Sequence, residues 1–234
     1  MKLRIGTSGY AYKEWKGVFY PEKLPQKKML EYYGQHFNAV EINNTFYRMP
    51  KESVLLNWAA DVPEDFAFIL KASRRITHFK RLKDTADEVD YFLRTASVLE
   101  HRLGPILFQL PPNLKKDIDT LAGFVSALPS RCRAAFEFRH ASWYDDEVYS
   151  VLRRHQAVFA TAETDEDEET PFAATAHDWG YLRLRRTAYS DDELSAWADR
   201  VKAQSWSDAF VFFKHEDKGT GPDLAERFRE IFGV

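Results

Sequence analysis

The sequence predicts a single (β/α)8 barrel, because short apolar strands alternate with amphipathic helices along the whole chain. Strand followed by helix recurs about eight times, in a length close to the ~250 residues typical of this fold. No Gly/Ser-rich linker interrupts the alternation, so we expect one domain over residues 1–234. A doubly wound open sheet is the alternative, but the turn GTSGY after the first strand lacks the G-x-G-x-x-G spacing of dinucleotide-binding sheets.

Each element has its own signal. The predicted strands are apolar runs that end in polar residues or turns, at 2–8, 39–43, 66–72, 106–110, 133–138, 157–162, 181–185 and 209–213. The predicted helices carry apolar residues at helical spacing, at 24–36, 52–60, 84–103, 117–127, 145–155, 190–204 and from 222 onward.

Capping signals and turn residues place several of these boundaries. Asp84 is predicted to cap the third helix, and Gly104 with Pro105 to end it. Ser190 and Glu193 form a capping box at the start of a later helix. Between the sixth and seventh predicted strands no helix is evident from the sequence.

Composition limits the classes of function. Lysine and arginine total 33 against 36 acidic residues, a net charge of -3, so a generally basic nucleic-acid-binding surface is not expected. The single cysteine, Cys132, excludes an intrachain disulfide and a zinc site built on several thiolates. No apolar run approaches the ~20 residues of a membrane span, and no basic-then-apolar leader follows Met1. We therefore expect a soluble, cytoplasmic protein with no membrane association.

Polar side chains at the ends of the predicted strands occupy alternate positions and so share one face of each strand, which we call the polar parity. Side chains of a barrel strand alternate between the lumen and the helix layer, and the other parity here is large and apolar. The polar parity carries Glu41, Asn43, Lys71, Ser73, Gln109, Glu137, Arg139 and Arg183. Because the C-terminal strand ends form the active-site mouth in this fold, these residues predict a pocket there.

Five blocks of the sequence, in order, resemble the YecE-like family, domain of unknown function 72. They are IGTSGYAYKEWKGVFYP, FNAVEINNTFYRMP, FAFILKASRRITHFKRL, GPILFQLPPN and AAFEFRHASW. The resemblance covers nearly the full length and implies a TIM-like barrel without a settled activity; a relation to nucleic-acid-processing barrels rests on fold analogy. The chain departs from the family pattern at Arg185, where a histidine is common, and at Lys214 and His215, where an asparagine pair is more usual. Site assignments at those positions stay open.

The predicted pocket holds more cations than carboxylates, which predicts a small anionic or phosphorylated ligand. Guanidinium groups such as those of Arg139 and Arg183 bind phosphate or carboxylate bidentately. We therefore predict an enzyme, of hydrolase or isomerase type, that uses acid–base or hydrolytic chemistry and no cofactor. The catalytic candidates are Glu41, Glu137, Lys71 and His140. The ligand-binding candidates are Tyr10, Tyr12, Asn43, Asn44, Tyr47, Ser73, Arg74, His78, Gln109, Arg139, Trp143 and Arg183.

The polar residues and the basic segment also admit non-catalytic roles. The lumen residues could pair internally, as Glu41–Lys71 and Glu137–Arg183 ion pairs that fill the barrel. The acid-free basic segment 71–83 could bind nucleic acid without catalysis, with the acidic segment 163–169 as a removable lid. The bases would stack on an aromatic rim formed by Tyr10, Tyr12, Trp15, Phe46, Tyr47 and Trp143.

Metal and sugar chemistry are lesser alternatives. A glycosidase would use Glu41 and Glu137 as its carboxylate pair. A metal could be held by Glu41, Glu137, His140, His215 or Glu216, but these residues have no diagnostic spacing, so no metal is predicted. The oligomeric state is not predicted.

Overall fold

The computed structural model describes residues 1–167, 169–214 and 219–234. The strands are β1 Lys2–Thr7, β2 Ala39–Ile42, β3 Ala67–Lys71, β4 Leu103–Gln109, β5 Ala134–Glu137, β6 Val158–Phe159, β7 Thr161–Glu163, β8 Trp179–Leu184 and β9 Asp208–Phe213. The helices are α1 Met29–His36, α2 Glu52–Ala60, α3 Ala86–Ala96, α4 Ile118–Ala127, α5 Asp146–Arg154, α6 Asp191–Lys202 and α7 Thr220–Phe232. No described helix is long and apolar enough to cross a membrane.

The strands form two parallel sheets that meet at both edges. One sheet has the order β1-β9-β8-β7 and the other β2-β3-β4-β5-β6. At one junction the chain passes from β6 to β7 through Ala160 alone, so these two short strands occupy one position. At the other junction Ser8 pairs in parallel with Glu41, and the Gly9 amide donates to the Glu41 carbonyl at 2.8 Å. This arrangement confirms the predicted TIM-like barrel class.

The Asn38 side chain connects β1 to the start of β2. Its amide Nδ2 donates to the Leu3 carbonyl at 2.8 Å, and its Oδ1 accepts from the Ile5 amide at 2.9 Å. A side-chain amide has the same donor and acceptor as a peptide group, so Asn38 stands in for one rung of a parallel ladder.

The Tyr33 hydroxyl makes the next connection along the same junction. It accepts from the Thr7 amide at 2.7 Å and lies 3.2 Å from the Ala39 carbonyl, to which it donates. Gly6 leaves space for this contact, because a Cβ at Gly6 would lie 2.0 Å from the Ala39 oxygen and 2.5 Å from the Tyr33 hydroxyl. Side chains of α1 and of the turn after it therefore join the two sheets.

The inside of the barrel is apolar below the C-terminal strand ends. The inward-facing residues form one buried cluster of Ala39, Ala67, Ile69, Leu107, Ala135, Val158, Ala160, Ala176, Trp179, Tyr181, Phe210 and Phe212. Rings from β8 and β9 combine with alanines from β2, β3 and β5, so large and small side chains together fill the lumen. The opposite parity packs with the helices, as expected, and includes Leu70, Phe108, Phe136, Leu182 and Phe213.

The predicted end of the third helix is wrong. The α-helix stops at Ala96 and a 3-10 segment, Ser97–Arg102, follows it, with Glu100 at φ 51°. Gly104 and Pro105 lie inside β4 instead of ending a helix. The reason is a register shift between β3 and β4, which accommodates this pair at an irregular position of the sheet. The absence of an α-helix between β7 and β8 agrees with the sequence for the residues described there.

The Tyr33 junction provides a test of the fold. Tyr33→Phe keeps the ring but removes the hydroxyl, which leaves the Thr7 amide and the Ala39 carbonyl buried without this partner. We expect the free energy of unfolding in urea to fall by about 1–3 kcal/mol. Tyr32→Phe on the same helix is the matched control and should change it by less than about 0.5 kcal/mol. Equal effects of the two variants would contradict this role for Tyr33.

Candidate active site at the C-terminal mouth

Three charged side chains form a buried bridge at the C-terminal ends of the strands. Glu41 on β2 and Glu137 on β5 are 0% exposed, and Arg183 on β8 is 2% exposed. Arg183 Nη2 donates to Glu41 Oε1 at 2.7 Å, and its Nη1 donates to Glu137 Oε2. The alternative Glu137–Arg183 ion pair is therefore present, whereas Arg183 takes the place proposed for Lys71 beside Glu41.

Glu41 is held by three further donors. Ser8 Oγ donates to Oε1 at 2.8 Å, Asn43 Nδ2 to Oε1 at 3.3 Å, and the Tyr181 hydroxyl to Oε2 at 2.6 Å. Burial alone would raise the pKa of Glu41, but the charge of Arg183 and these hydrogen bonds outweigh it and lower the pKa. Three donors reach Oε1 and one reaches Oε2, and these four hydrogen bonds hold Glu41 in its ionised form.

Glu137 lies among three guanidinium groups. Arg139 Nε forms an ion pair with Oε1, and Arg185 contributes a third positive charge after Arg183. Burial would raise the pKa of Glu137, but these charges lower it to about 2. Because both buried carboxylates have lowered pKa values, neither is suited to the general-acid role of a glycosidase, which needs a raised one.

Lys71 ends β3 and lies beside this bridge. Its Nζ is 4.4 Å from the centroid of the Phe46 ring. Within the described parts of the chain the amine has no hydrogen-bond or ion-pair partner. Burial, followed by the charge of Arg183, lowers the pKa of Lys71 to about 8, and the carboxylates of the bridge oppose this only in part. Thr45 fixes the neighbouring loop, because its Oγ1 donates to the Lys71 carbonyl at 2.7 Å.

In the described part of the chain, four cations therefore share this space with two carboxylates. We call Glu41, Lys71, Glu137, Arg139, Arg183 and Arg185 the mouth cluster. Arg139 and Arg185 are half-buried, and burial is the main cause that lowers the pKa of Arg185. Buried Arg183 Nε has no hydrogen-bond acceptor among the described residues, and such a donor is normally satisfied by water or a ligand. The cluster has the features of an anion-binding site.

Three residues of the site were not among the predicted ones: Ser8, Tyr181 and Arg185. Tyr181 shares the inward parity of Arg183 on β8, so extending the alternation toward the start of the strand would have found it. Arg185 follows β8 at the same parity, but the sequence leaves its assignment open because it departs from the family pattern. Ser8 had no comparable signal, because its contact with Glu41 depends on how the first strand meets the second.

The remaining predicted ligand residues lie around the mouth. Tyr10, Tyr12, Asn43 and Asn44 line a recess of about 140 Å³ beside the loop after β1. The Tyr12 hydroxyl already donates to the Ser8 carbonyl at 2.7 Å. Gln109 ends β4 opposite Glu137 in the sheet register and is half-buried.

The basic segment 71–83 begins with a turn that carries several candidates. Ser73 Oγ accepts from the Arg75 amide at 3.2 Å. His78 is half-buried, with its ring 4.8 Å from that of Phe46, and burial followed by the charge of Lys71 lowers its pKa. Arg74 lies over two exposed rings, 5.5 Å from Tyr47 and 5.3 Å from Phe79.

Two predicted candidates have structural roles. His140 Nδ1 accepts from the Ser142 amide at 3.1 Å and caps the following turn. Trp143 is 1% exposed and stacks on Phe138 at 4.8 Å, with its Nε1 donating to the Leu114 carbonyl at 2.7 Å. Trp143 packs in the core because both its ring and its polar atom already have partners, so it offers no face to a ligand.

The described acidic and basic segments do not contact each other as a lid would require. Glu163 Oε2 accepts from Trp197 Nε1 at 3.0 Å, and Asp165 accepts from the Thr187 amide at 2.9 Å. The basic segment is neutralised by other acids, with Lys80 Nζ 2.9 Å from Glu88.

No group of three His, Cys, Asp or Glu side chains in the described ranges is arranged for a metal; His215 and Glu216 lie outside them.

The Arg183 bridge predicts a large loss of stability when its centre is removed. Arg183→Met leaves two buried carboxylates without their shared partner, so we expect about 3–5 kcal/mol less free energy of unfolding in urea. Arg227→Met breaks a surface pair with Asp191 and should cost about 0–1 kcal/mol. Similar losses in both variants would refute the bridge as a stabilising unit.

The lowered pKa of Glu137 predicts that the free energy of unfolding depends on pH. Its pKa is lowered from 4.5 to about 2, so the folded state binds fewer protons than the unfolded state between these values. The stabilisation is complete above pH 4.5 and is lost as the pH falls toward 2. We expect the free energy of unfolding to fall more steeply over this range in the native protein than in Glu137→Gln, and equal slopes would contradict the assignment.

Comparison with known proteins places this fold and mouth in a family. A family model described as "Protein of unknown function DUF72" matches residues 4–234. The UPF0759 protein YecE of Escherichia coli (strain K12) is 35% identical over 116 residues, which cover 49% of this chain and 43% of YecE. The match thus spans less than half the length of that curated relative.

Solved structures agree with the family match. A DUF72 family protein from Thermotoga maritima has a TM-score of 0.89 at 28% identity and covers 100% of both chains. A xylose isomerase-like TIM barrel/4-hydroxyphenylpyruvate dioxygenase fusion protein has a TM-score of 0.61 at 11% identity, covers 99% of this chain and 43% of that one, and supports the fold alone. The chain therefore belongs to the DUF72 family of proteins of unknown function.

Proposed function

We propose that the protein is an enzyme that binds a small anion at the mouth cluster and acts on it by acid–base chemistry. The observation that carries this proposal is the surplus of cations, in which Lys71, Arg139 and Arg183 outnumber Glu41 and Glu137 among the described residues. Excess buried charge of one sign is unfavourable, and a bound phosphate or carboxylate would relieve it. An internal ion-pair cluster with no ligand would need no such surplus.

The cations divide into two roles. Arg183 is committed to the two buried carboxylates, which hold it in place. Arg139 and Arg185 are half-buried and follow the C-terminal ends of β5 and β8. We assign them to the anionic group of the ligand. Lys71 is the group suited to exchange a proton near neutral pH, because its pKa is lowered to about 8.

Larger recesses outside the barrel support this proposal less well. One of about 560 Å³ lies between α3 and α4, and another of about 670 Å³ lies beside α6. Neither lining includes a residue of the mouth cluster. Perturbed titratable groups that lie close together are the better indicator of chemistry.

Anion binding is the direct test. Arg139→Gln should weaken the affinity for inorganic phosphate or pyrophosphate by roughly 10–100-fold, as expected for the loss of a charged hydrogen bond, when measured by isothermal titration calorimetry. Arg94→Gln, in an exposed pair on α3, is the control and should leave the affinity unchanged. Absence of any anion binding by the native protein, or equal binding by both variants, would overturn the proposal.

Nucleic-acid binding is a second candidate, favoured by one observation. Arg74 lies between the rings of Tyr47 and Phe79, which are 66% and 68% exposed at the rim. Exposed aromatic and guanidinium planes are the groups on which single-stranded bases stack. If this candidate is right, Tyr47→Ala should weaken binding of a labelled oligonucleotide while phosphate affinity stays unchanged. Oligonucleotide anisotropy that does not respond to Tyr47→Ala would remove this candidate.

A further inference from the structure

We propose that Lys71 is a nucleophile that forms an imine with a carbonyl group of the bound anion. The inference rests on the proposed function and specifies its substrate class, a small aldehyde or ketone that carries a carboxylate or phosphate. It differs from acid–base use of Lys71, because the amine nitrogen would become covalently bonded to the substrate.

The position of the Lys71 amine is the first argument. Lys71 is the last residue of β3, at an inward-facing position above the apolar lumen. Its side chain is half-buried, and Nζ lies 4.4 Å from the centroid of the Phe46 ring. Two other half-buried lysines are paired with acids: Lys80 Nζ lies 2.9 Å from Glu88, and Lys116 Nζ lies 3.0 Å from Asp145. Among the described residues Lys71 has no such partner, so no carboxylate holds its proton in place.

The charged surroundings of Lys71 are the second argument. Burial, then Arg183, and also Arg139 lower the pKa of the amine to about 8, while Glu41 and Glu137 act in the opposite direction. About a tenth of the amine is therefore neutral at pH 7, compared with less than about a thousandth at the ordinary value of 10.5. Desolvation and nearby cations are the two known means of activating a lysine as a nucleophile.

The proposed step balances without an oxidant or a reductant. The Nζ lone pair forms a bond to the carbonyl carbon, and the carbonyl π electrons move to oxygen, which takes up a proton. The nitrogen then loses its extra proton, the hydroxyl leaves as water after protonation, and the nitrogen lone pair closes the C=N bond. Arg139 and Arg185 would hold the anionic group during these steps.

His78 is placed to assist the proton transfers. Its ring contacts the same Phe46 that borders Lys71, and the charge of Lys71 acts on it. Burial and that charge lower the pKa of His78, so the imidazole is neutral at pH 7 and can accept the proton that the nitrogen loses. The same proton can then go to the departing hydroxyl.

Reductive trapping tests the imine. The full-length protein is incubated at pH 8 with sodium cyanoborohydride and pyruvate, dihydroxyacetone phosphate or acetone, and its peptides are analysed by mass spectrometry. We expect Lys71 to gain the mass of pyruvate or of dihydroxyacetone phosphate less one oxygen atom, at a level roughly tenfold or more above any other lysine. The uncharged acetone should label Lys71 at least about tenfold less, because no anion holds it at the arginines.

Two variants make the result specific. Lys71→Arg keeps the positive charge and should abolish the adduct, with an unchanged circular dichroism spectrum showing that the fold survives. Lys80→Arg removes an ion-paired lysine of the same basic segment and should leave the adduct unchanged. The yield at Lys71 should be half-maximal near pH 8, and a midpoint near that of ordinary lysines would overturn the proposal.

The outcomes separate the two proposals. Labelling with pyruvate alone or with the phosphate alone supports the imine and identifies the anionic group. Phosphate binding in calorimetry without preferential labelling of Lys71 by either compound refutes the imine and leaves the anion site standing. Failure of both binding and labelling refutes both.

Discussion

The mouth of the barrel depends on one interaction, in which the guanidinium of Arg183 is shared by two buried carboxylates. Glu41 and Glu137 belong to β2 and β5, with β3 and β4 between them in the sheet, and Arg183 reaches both from β8. Removing three charges from water is unfavourable unless each finds a partner of opposite sign. The bridge therefore connects three strands at their C-terminal ends, and Arg139 and Arg185 follow two of these strands.

Lysine and arginine respond differently to the same surplus of positive charge. Arginine carries a fixed positive charge in proteins, and this charge is available to a ligand. Lys71 can release its proton, because its pKa is lowered to about 8. One cluster thus contains both fixed positive charges and an amine whose pKa is lowered by burial and by the charge of Arg183.

Much of this arrangement could be predicted from the sequence, since alternation along a strand is a local property. It identified Glu41, Glu137 and Arg183 as inward-facing and the barrel as the fold. The partner of Glu41 could not be predicted, because it depends on which long side chain reaches across the lumen.

The structure differs from the expectation based on the sequence at two other places, and each difference has a physical cause. Gly-Pro ends helices and also fits irregular strand positions, and only the pairing of β3 with β4 decides between them. A tryptophan with a polar atom suits a ligand and a core equally well, and the carbonyl of Leu114 decides for Trp143.

The junction between β1 and β2 has a consequence for how the barrel is specified. Elsewhere the register of neighbouring strands is maintained by repeating backbone hydrogen bonds that any sequence can form. Here, among the described residues, the backbone pairs only where Ser8 meets Glu41, and Asn38 and Tyr33 supply further contacts to particular backbone atoms. The identity of two side chains therefore contributes at this point to the shear of the barrel, which determines its tilt and diameter.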